Sequence, residues 1–161
     1  MGVLRLSQVR STQRHMYGGT TRCIGRTKGG LNSKLHAVCD AAGRPVAMLL
    51  TERQVSDHKG AAFLIEALPP ARHLIADRGY DSDGYRAALR HRGTKPCIPS
   101  RKNRKEPVAH DKLLYRQRHK VENLFAKLKD WRRIAMRYGR CAHTFMSAIT
   151  LAATMIFWLK Q

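Results

Sequence analysis

The segment from His110 to Tyr138 constrains the fold more than any other part of this chain, because it contains neither glycine nor proline. Both residues interrupt helices, so their absence allows one long helix to run through the whole segment. Apolar residues recur there at roughly helical spacing and predict one buried stripe, formed by Leu114, Val121, Leu124, Phe125, Leu128 and Trp131. We therefore expect a long amphipathic helix that packs against the rest of the chain.

Four polar residues accompany this stripe: Tyr115, Arg118, Glu122 and Lys129. At about 100° per residue, they fall within an arc of about 60° along one edge of the apolar face. A single carboxylate is therefore grouped with a phenol, a guanidinium and an ammonium. The pattern leaves two interpretations open, which are a solvated basic helix face and a functional site.

The spacing Tyr115-x2-Arg118-x3-Glu122-x6-Lys129 matches the Y-R-E-K signature of bacterial insertion-sequence transposases of the DDE class. The surrounding LYRQRHKVENLFAKLKDWRRIAMRY resembles the insertion-sequence family numbered five. The resemblance implies that residues 23–161 form a DDE catalytic domain, whereas residues 1–22 match the family poorly. It implies an α/β fold of the ribonuclease H-like type, as in retroviral integrases, with a mixed sheet flanked by helices.

The resemblance also implies a metal site for cutting DNA and joining it at transposon ends. In that family three carboxylates bind the metal, and Asp77, after the apolar run HLIAD, and Glu122 match the second and third. Such sites hold two Mg²⁺ ions about 3.5–4 Å apart, and Mn²⁺ can substitute. The residues that we expect to contact DNA, three by resemblance and the others by their positive charge, are Tyr115, Arg118, Lys129, Arg26, Lys28, Arg132 and Arg133.

The first carboxylate of the family pattern has no counterpart. Family members carry Asp at the end of the first strand, followed by Ser or Ala and then Thr, whereas Ser11 and Thr12 here follow Arg10. A guanidinium at that position would repel divalent cations. The family's upstream helical region also has no counterpart here, so we expect part of a longer or frameshifted transposase that neither nicks nor joins DNA alone.

The charge balance favours a polyanionic partner. Lys and Arg total 31 against 11 Asp and Glu, which gives a formal charge of +20. Two function classes therefore stay open: a metal-dependent transposase, and a non-catalytic DNA-binding remnant or inhibitor of transposition. RNA binding is less favoured, because aromatic residues make up only 7% of the chain. Metal-dependent nicking separates the first class from the second.

Several smaller expectations concern location and local structure. The cysteines form no C-x-x-C pair, which argues against a zinc site. No signal peptide is visible, and the apolar tail from Phe145 to Leu159 is predicted to be too short for a bilayer and to form a buried helix. We expect a cytoplasmic protein without a membrane partner that forms a homo-oligomer with DNA.

The central part of the sequence predicts a hairpin and two capped helices. SKLHAVCD and VAMLLTE read as paired strands, and HKGAAFLIEAL and SDGYRAALRHRG read as helices. KPCIP predicts a further short strand. The basic run SRKNRKEP after it reads as a loop, for which a merely solvated charge run is the simplest interpretation.

Overall fold

The computed structural model describes residues 2–13, 23–27, 30–137, 139 and 141–159. These residues form a mixed sheet with helices on both faces, which confirms the predicted α/β class. The strands are β1 (Gly2–Gln13), β2 (Gly25–Thr27), β3 (Gly30–Cys39), β4 (Pro45–Glu52), β5 (Ala71–Ala76) and β6 (Lys95–Cys97). The helices are α1 (Asp57–Leu64), α2 (Asp83–His91), α3 (Lys112–Arg116), α4 (His119–Lys129), α5 (Arg132–Ala135) and α6 (Ala142–Thr154).

Strand β1 lies at the centre of the sheet. It pairs antiparallel with β3 on one side and parallel with β5 on the other, and β6 continues the parallel half. The outer edge of β3 pairs first with β2 and then with β4, which confirms the predicted hairpin. Its turn is closed by Asp40 Oδ1, which accepts the N–H groups of Ala42 and Arg44 at 2.9 Å each.

Strand β1 is much longer than its parallel neighbour. Its pairing with β5 ends at Leu6 opposite Ala76, whereas its pairing with β3 continues to Gln13 opposite Leu31. Residues 8–13 therefore extend past the end of β5. The sheet has an antiparallel wing that projects beyond the point at which β5 ends.

The alternation of side chains along β1 assigns each residue to one face of the sheet. Leu4 and Leu6 belong to the core under α1 and α2, which we call the α1 face. Arg5, between them, bonds the carbonyl oxygen of Gln117 beside α4 and so points to the opposite face. A second core lies on that opposite side, the α4 face, among β3, β4, α4, α5 and α6.

The prediction of one unbroken helix from His110 to Tyr138 is wrong, because α3, α4 and α5 are separate. The break between α3 and α4 has a physical cause at Gln117. Its carbonyl oxygen accepts the Nε–H of the buried Arg5 at 2.9 Å, and the N–H of Val121 bonds Arg118 instead. A long-range contact has thus replaced one bond of the helical ladder.

Only part of the predicted apolar stripe is buried. Val121, Leu124, Phe125 and Leu128 lie in the core of the α4 face, whereas Trp131 is 46% exposed. The chain turns at Trp131, which has an extended backbone and directly precedes α5. The stripe therefore predicts the packing of α4 correctly and fails where the helix ends.

The C-terminal helix differs from the prediction of a short buried element. Helix α6 continues as a π-helical turn, and Ala142–Leu159 is long and apolar enough by length and composition to cross a membrane. One face of it, including Phe145 and Ile149, belongs to the core of the α4 face. Leu151, Met155 and Leu159 are exposed.

Candidate catalytic carboxylates and DNA-binding surface

Asp77 follows directly after β5, at the carboxyl end of the parallel half of the sheet. Its side chain accepts the N–H of Arg78 at 2.7 Å and so begins the 3₁₀ turn Arg78–Tyr80. Leu74 and Ala76 belong to the core of the α1 face, so the alternation along the strand assigns Asp77 to the α4 face.

Glu122 lies on α4, which packs against β1 and β3 on that same face. Two contacts fix the direction of this helix. Arg5 on β1 holds Gln117 just before α4, and beyond α5 Arg137 donates to Ser33 Oγ at 2.5 Å. Because Ser33 pairs with Ser11 of β1, α4 runs alongside β1 in the same direction.

This direction sets the level of Glu122 along the sheet. Glu122 is five residues past Gln117, which is about 7.5 Å along a helix and a little over two residues along a strand. Gln117 lies beside Arg5, and two residues along β1 from Arg5 lead to Ser7, so Glu122 lies at about the level of Ser7. Because Leu6 pairs with Ala76, the level of Ser7 is also that of Asp77. The topology thus brings Asp77, Ser7 and Glu122 to one level of one face.

The electrostatic surroundings of Tyr115 include both carboxylates. Burial raises the pKa of its phenol, the cations Arg118 and Arg78 lower this pKa, and the carboxylates Asp77 and Glu122 raise it. The phenol is therefore within electrostatic range of both carboxylates.

Arg118 links the phenol to Glu122. Its guanidinium lies 5.8 Å from the centroid of the Tyr115 ring and donates to Glu122 Oε1 at 2.5 Å. Glu122 is still half exposed in this pair, at 52% of its side chain. The arrangement leaves the carboxylate accessible from solvent and oriented by one cation.

The remaining predicted DNA-binding residues lie farther along the same helices or outside the described part. Lys129 is exposed two turns beyond Glu122, about 10 Å along α4, and Arg132 and Arg133 are exposed on α5. The backbone of Arg26 lies in β2. The side chain of Arg26 and the whole of Lys28 lie outside the described residues.

The strand register and the family's sequence pattern assign the first carboxylate to different residues. The sequence pattern assigns that position to Arg10, whereas the register puts Ser7 beside Asp77. The backbone of Arg10 lies three residues farther along β1, about 10 Å away, and its side chain is outside the described residues. Ser7 is buried, at 7% exposure, and its hydroxyl has no charge to offer a metal.

The described residues do not fit a two-metal site. They contain no group of three His, Cys, Asp or Glu side chains placed to hold a metal ion. By the resemblance, Asp77 and Glu122 match two of the three carboxylates of the family pattern. The third position, which the register assigns to Ser7, has no carboxylate.

Sequence reasoning missed two ion-paired carboxylates at the same end of the sheet, of which Asp81 is buried and Asp57 is partly buried. Asp57 pairs with Lys34 at 2.6 Å, and Asp81 pairs with Arg86 at 2.8 Å. A signal for the second was available in the sequence DSDGYR, because Asp81 precedes a helix whose fourth residue is Arg86. The first depends on pairing between β3 and α1, for which the sequence gives no signal.

Comparison with known proteins identifies the family of this chain and several relatives. The transposase DDE domain family matches residues 7–158. The protein assigned as the transposase for insertion sequence element IS402 of Burkholderia cepacia is 36% identical over 91% of this chain and 76% of its own length. The one assigned to insertion sequence element IS6501 of Brucella ovis is 38% identical over 81% of this chain and 100% of its own length.

Solved structures support the ribonuclease H-like fold. A chain of the simian T-cell lymphotropic virus intasome in complex with PP2A regulatory subunit B56 gamma superposes with a TM-score of 0.54 at 14% identity, over 98% of this chain and 49% of that chain. The piggyBac transposase in its synaptic complex with hairpin DNA superposes with a TM-score of 0.60 at 11% identity, over 96% of this chain and 46% of that chain. This chain spans about half the length of those chains. The sheet order, the length of the family match and the two curated relatives lead to one conclusion: the chain belongs to the family of transposase DDE domains.

Proposed function

We propose that this chain acts in DNA transposition as the DDE domain of an insertion-sequence transposase of the family numbered five. The observation that supports the proposal is the common level and face of Asp77 and Glu122 in the sheet, with both carboxylates in electrostatic range of Tyr115. In a complete family site, carboxylates at these two positions would bind Mg²⁺ or Mn²⁺ for strand cleavage and strand transfer at transposon ends. A cytoplasmic location and a homo-oligomeric synaptic complex are part of the same proposal.

The residues along α3 and α4 suit the backbone of DNA. The planar guanidinium of Arg118 can bind a phosphate through two hydrogen bonds, whereas Lys129 acts as a point charge. Tyr115 offers a ring for stacking and a hydroxyl for hydrogen bonding. Arg132 and Arg133 extend the positive charge beyond Lys129. Arg26 and Lys28 stay expected DNA contacts by their positive charge. With a formal charge of +20, binding should weaken steeply as salt concentration rises.

Position 7 supports one of the two function classes. Ser7 lies where the register predicts the first carboxylate, so we expect this chain to bind DNA without cutting it. That observation favours the second class, a DNA-binding remnant or an inhibitor that competes for transposon ends. In both classes the chain descends from a transposase and binds the same substrate.

The test is a nicking assay on supercoiled plasmid with Mg²⁺ or Mn²⁺, together with calorimetric titration of Mn²⁺. We expect the unaltered chain to bind the plasmid and leave it intact. Ser7→Asp should bind Mn²⁺ more tightly and nick the plasmid, and Ser7→Asp combined with Asp77→Asn should do neither.

Two results would count against the proposal. Nicking by the unaltered chain that disappears in Asp77→Asn would show that position 7 needs no carboxylate. Absence of plasmid binding at low salt would remove the role in transposition altogether. Arg10→Asp is the matched control, since the register puts residue 10 away from Asp77 and predicts no gain of nicking.

A further inference from the structure

The loop of residues 101–107, which we call the basic loop, leaves the sheet at the same end as Asp77. It follows β6, which runs parallel to β5, so both strands deliver their next residues to one edge. The loop contains four cations, Arg101, Lys102, Arg104 and Lys105, and one carboxylate, Glu106. Composition alone gives no reason to regard it as more than a solvated charge run.

The two ends of the basic loop are joined at its base. Ser100 Oγ accepts the N–H of Val108 at 2.7 Å and donates to the carbonyl oxygen of Val108 at 3.3 Å. A single hydroxyl thus closes the loop, which restricts the paths that its residues can follow.

A buried carboxylate holds the first half of the basic loop. Asp81 is 3% exposed and accepts the N–H of Arg101 at 2.9 Å and Nη1–H of Arg104 at 3.1 Å. Arg86 also donates to it, at 2.8 Å, and in turn bonds the carbonyl oxygen of Ile98 at 2.7 Å. Burial alone would raise the pKa of Asp81, but these hydrogen bonds and cations lower it, so the carboxylate stays charged.

The side chain of Arg101 ties the loop to the candidate site itself. Its Nη2 donates to the carbonyl oxygen of Gly79, two residues past Asp77, at 3.1 Å, and lies 3.1 Å from Nδ1 of His58. Arg104 bonds Asp83 and the carbonyl oxygen of Glu106. Both arginines of the loop are therefore used for anchoring.

The two lysines of the loop, unlike its arginines, point to solvent. Lys102 and Lys105 are exposed, as is Asn103 between them, and neither lysine has an ion-pair partner in the described part of the chain. A loop whose arginines are fixed inward and whose lysines are held outward presents two cations at defined positions. A solvated charge run needs no buried carboxylate and no closed base.

We propose that the basic loop is a binding site for the phosphate backbone of duplex DNA, in which Lys102 and Lys105 contact phosphates and Asp81 is the positioning residue. The site lies beside Asp77, on the side of the sheet where β6 forms the edge. This inference rests on the proposed function, because it names a further part of the surface that holds the same DNA.

The first experiment measures the affinity for a duplex oligonucleotide at several salt concentrations. Lys102→Gln combined with Lys105→Gln should make the slope of log K against log salt shallower by about 2, since each phosphate contact contributes close to one. Arg90→Gln combined with Lys95→Gln removes the same charge at the opposite end of the sheet and should leave the slope unchanged.

The second experiment separates positioning from net charge. Asp81→Asn removes a negative charge, so simple electrostatics predicts tighter binding, whereas loss of the anchor predicts weaker binding and faster trypsin cleavage after Lys102 and Lys105. Because Asp81→Asn leaves a buried Arg86 without its partner and could unfold the chain, Ser100→Ala is the second variant. It opens the base of the loop without any change in charge and should have the same two effects.

The outcomes distinguish this inference from the proposed function. If the unaltered chain binds no DNA, the proposed function fails. If the unaltered chain binds DNA but the double lysine variant matches its control, only the basic loop is excluded. Tighter binding of a duplex RNA of the same sequence would also overturn the assignment to DNA.

Discussion

Two groups of polar residues on opposite faces of the sheet differ in their exposure to water. On the α1 face, His36 is fully buried between the hydroxyl oxygens of Tyr80, at 3.1 Å, and Thr51, at 3.0 Å, and Lys34 pairs with Asp57. On the α4 face, Glu122 is half exposed with one cation beside it.

The difference separates scaffold from site. A buried polar group is costly unless its hydrogen bonds are satisfied, so a closed network rigidifies the fold and is sensitive to any deletion. An exposed carboxylate is screened by water and contributes little to stability. It keeps its capacity to bind something else. We expect mutations in the closed network of the α1 face to act on folding, and mutations of the exposed residues around Glu122 to act on DNA binding.

The largest contrast is expected between two Arg–carboxylate pairs. Arg86→Met breaks a pair whose side chains are 2% and 1% exposed, and should lower the free energy of unfolding by about 3–5 kcal/mol. Arg118→Met breaks a pair whose side chains are 24% and 52% exposed, and should cost less than about 0.5 kcal/mol. Urea unfolding measures both, and equal losses would refute the distinction between the buried network and the exposed site.

The next effect concerns pH and again belongs to the α1 face. Burial, with a smaller contribution from Lys34 and opposed by Asp57, lowers the pKa of His36 to about 4. When the pH is below 6.5, the ordinary pKa of the imidazole, His36 binds a proton in the unfolded state but stays neutral in the folded state. Stability that is fully present above pH 6.5 should thus fall by roughly 3 kcal/mol as pH drops to about 4.

Urea unfolding at a series of pH values measures this loss. The variant His36→Gln should lack that part of the pH dependence while retaining the part that comes from the carboxylates. An identical pH profile in the variant would mean that His36 is not the group responsible.

Two glycines on the α1 face give a smaller contrast of opposite sign. A Cβ on Gly60 would lie 2.5 Å from Nε2 of His36, so Gly60→Ala should cost about 1–3 kcal/mol by overpacking the buried ring. A Cβ on Gly84 in α2 would meet nothing within 4 Å, so Gly84→Ala should stabilise the helix by about 0.5–1 kcal/mol. Thermal unfolding of the two variants should show shifts in opposite directions.

The smallest effect on stability, and a clear one on DNA, is expected at Lys129. Lys129→Gln should change the free energy of unfolding by less than about 0.5 kcal/mol, because the side chain is exposed. It should make the slope of log K for DNA binding against log salt shallower by about 1. Arg90→Gln on α2 is the control, and an equal change in slope for both variants would show that only net charge matters.

Local features of the fold could be predicted from the sequence. The β3–β4 hairpin was visible because its strands are adjacent in the chain and share one turn. The start of α2 was visible because Ser82 caps it, accepting the N–H of Tyr85 at 3.2 Å. The position of Asp77 after a strand followed from the apolar run that precedes it. Each of these depends on residues close together in sequence.

The features that could not be predicted depend on distant residues. The break before α4 comes from Arg5, which is 112 positions from Gln117. The level of Ser7 beside Asp77 depends on the register between β1 and β5, which spacing within either strand does not reveal. The family's sequence pattern therefore put Arg10 at the first carboxylate, three residues away from the level that the sheet assigns.

The extra length of β1 leaves part of the central strand at an open edge. Past Leu6, the described residues provide a partner for β1 on the β3 side only. Unpaired N–H and C=O groups on such an edge can recruit a strand from another molecule and start aggregation. Residues 8–13 read QVRSTQ, with a single apolar residue and one positive charge. This composition disfavours the stacking of copies edge to edge.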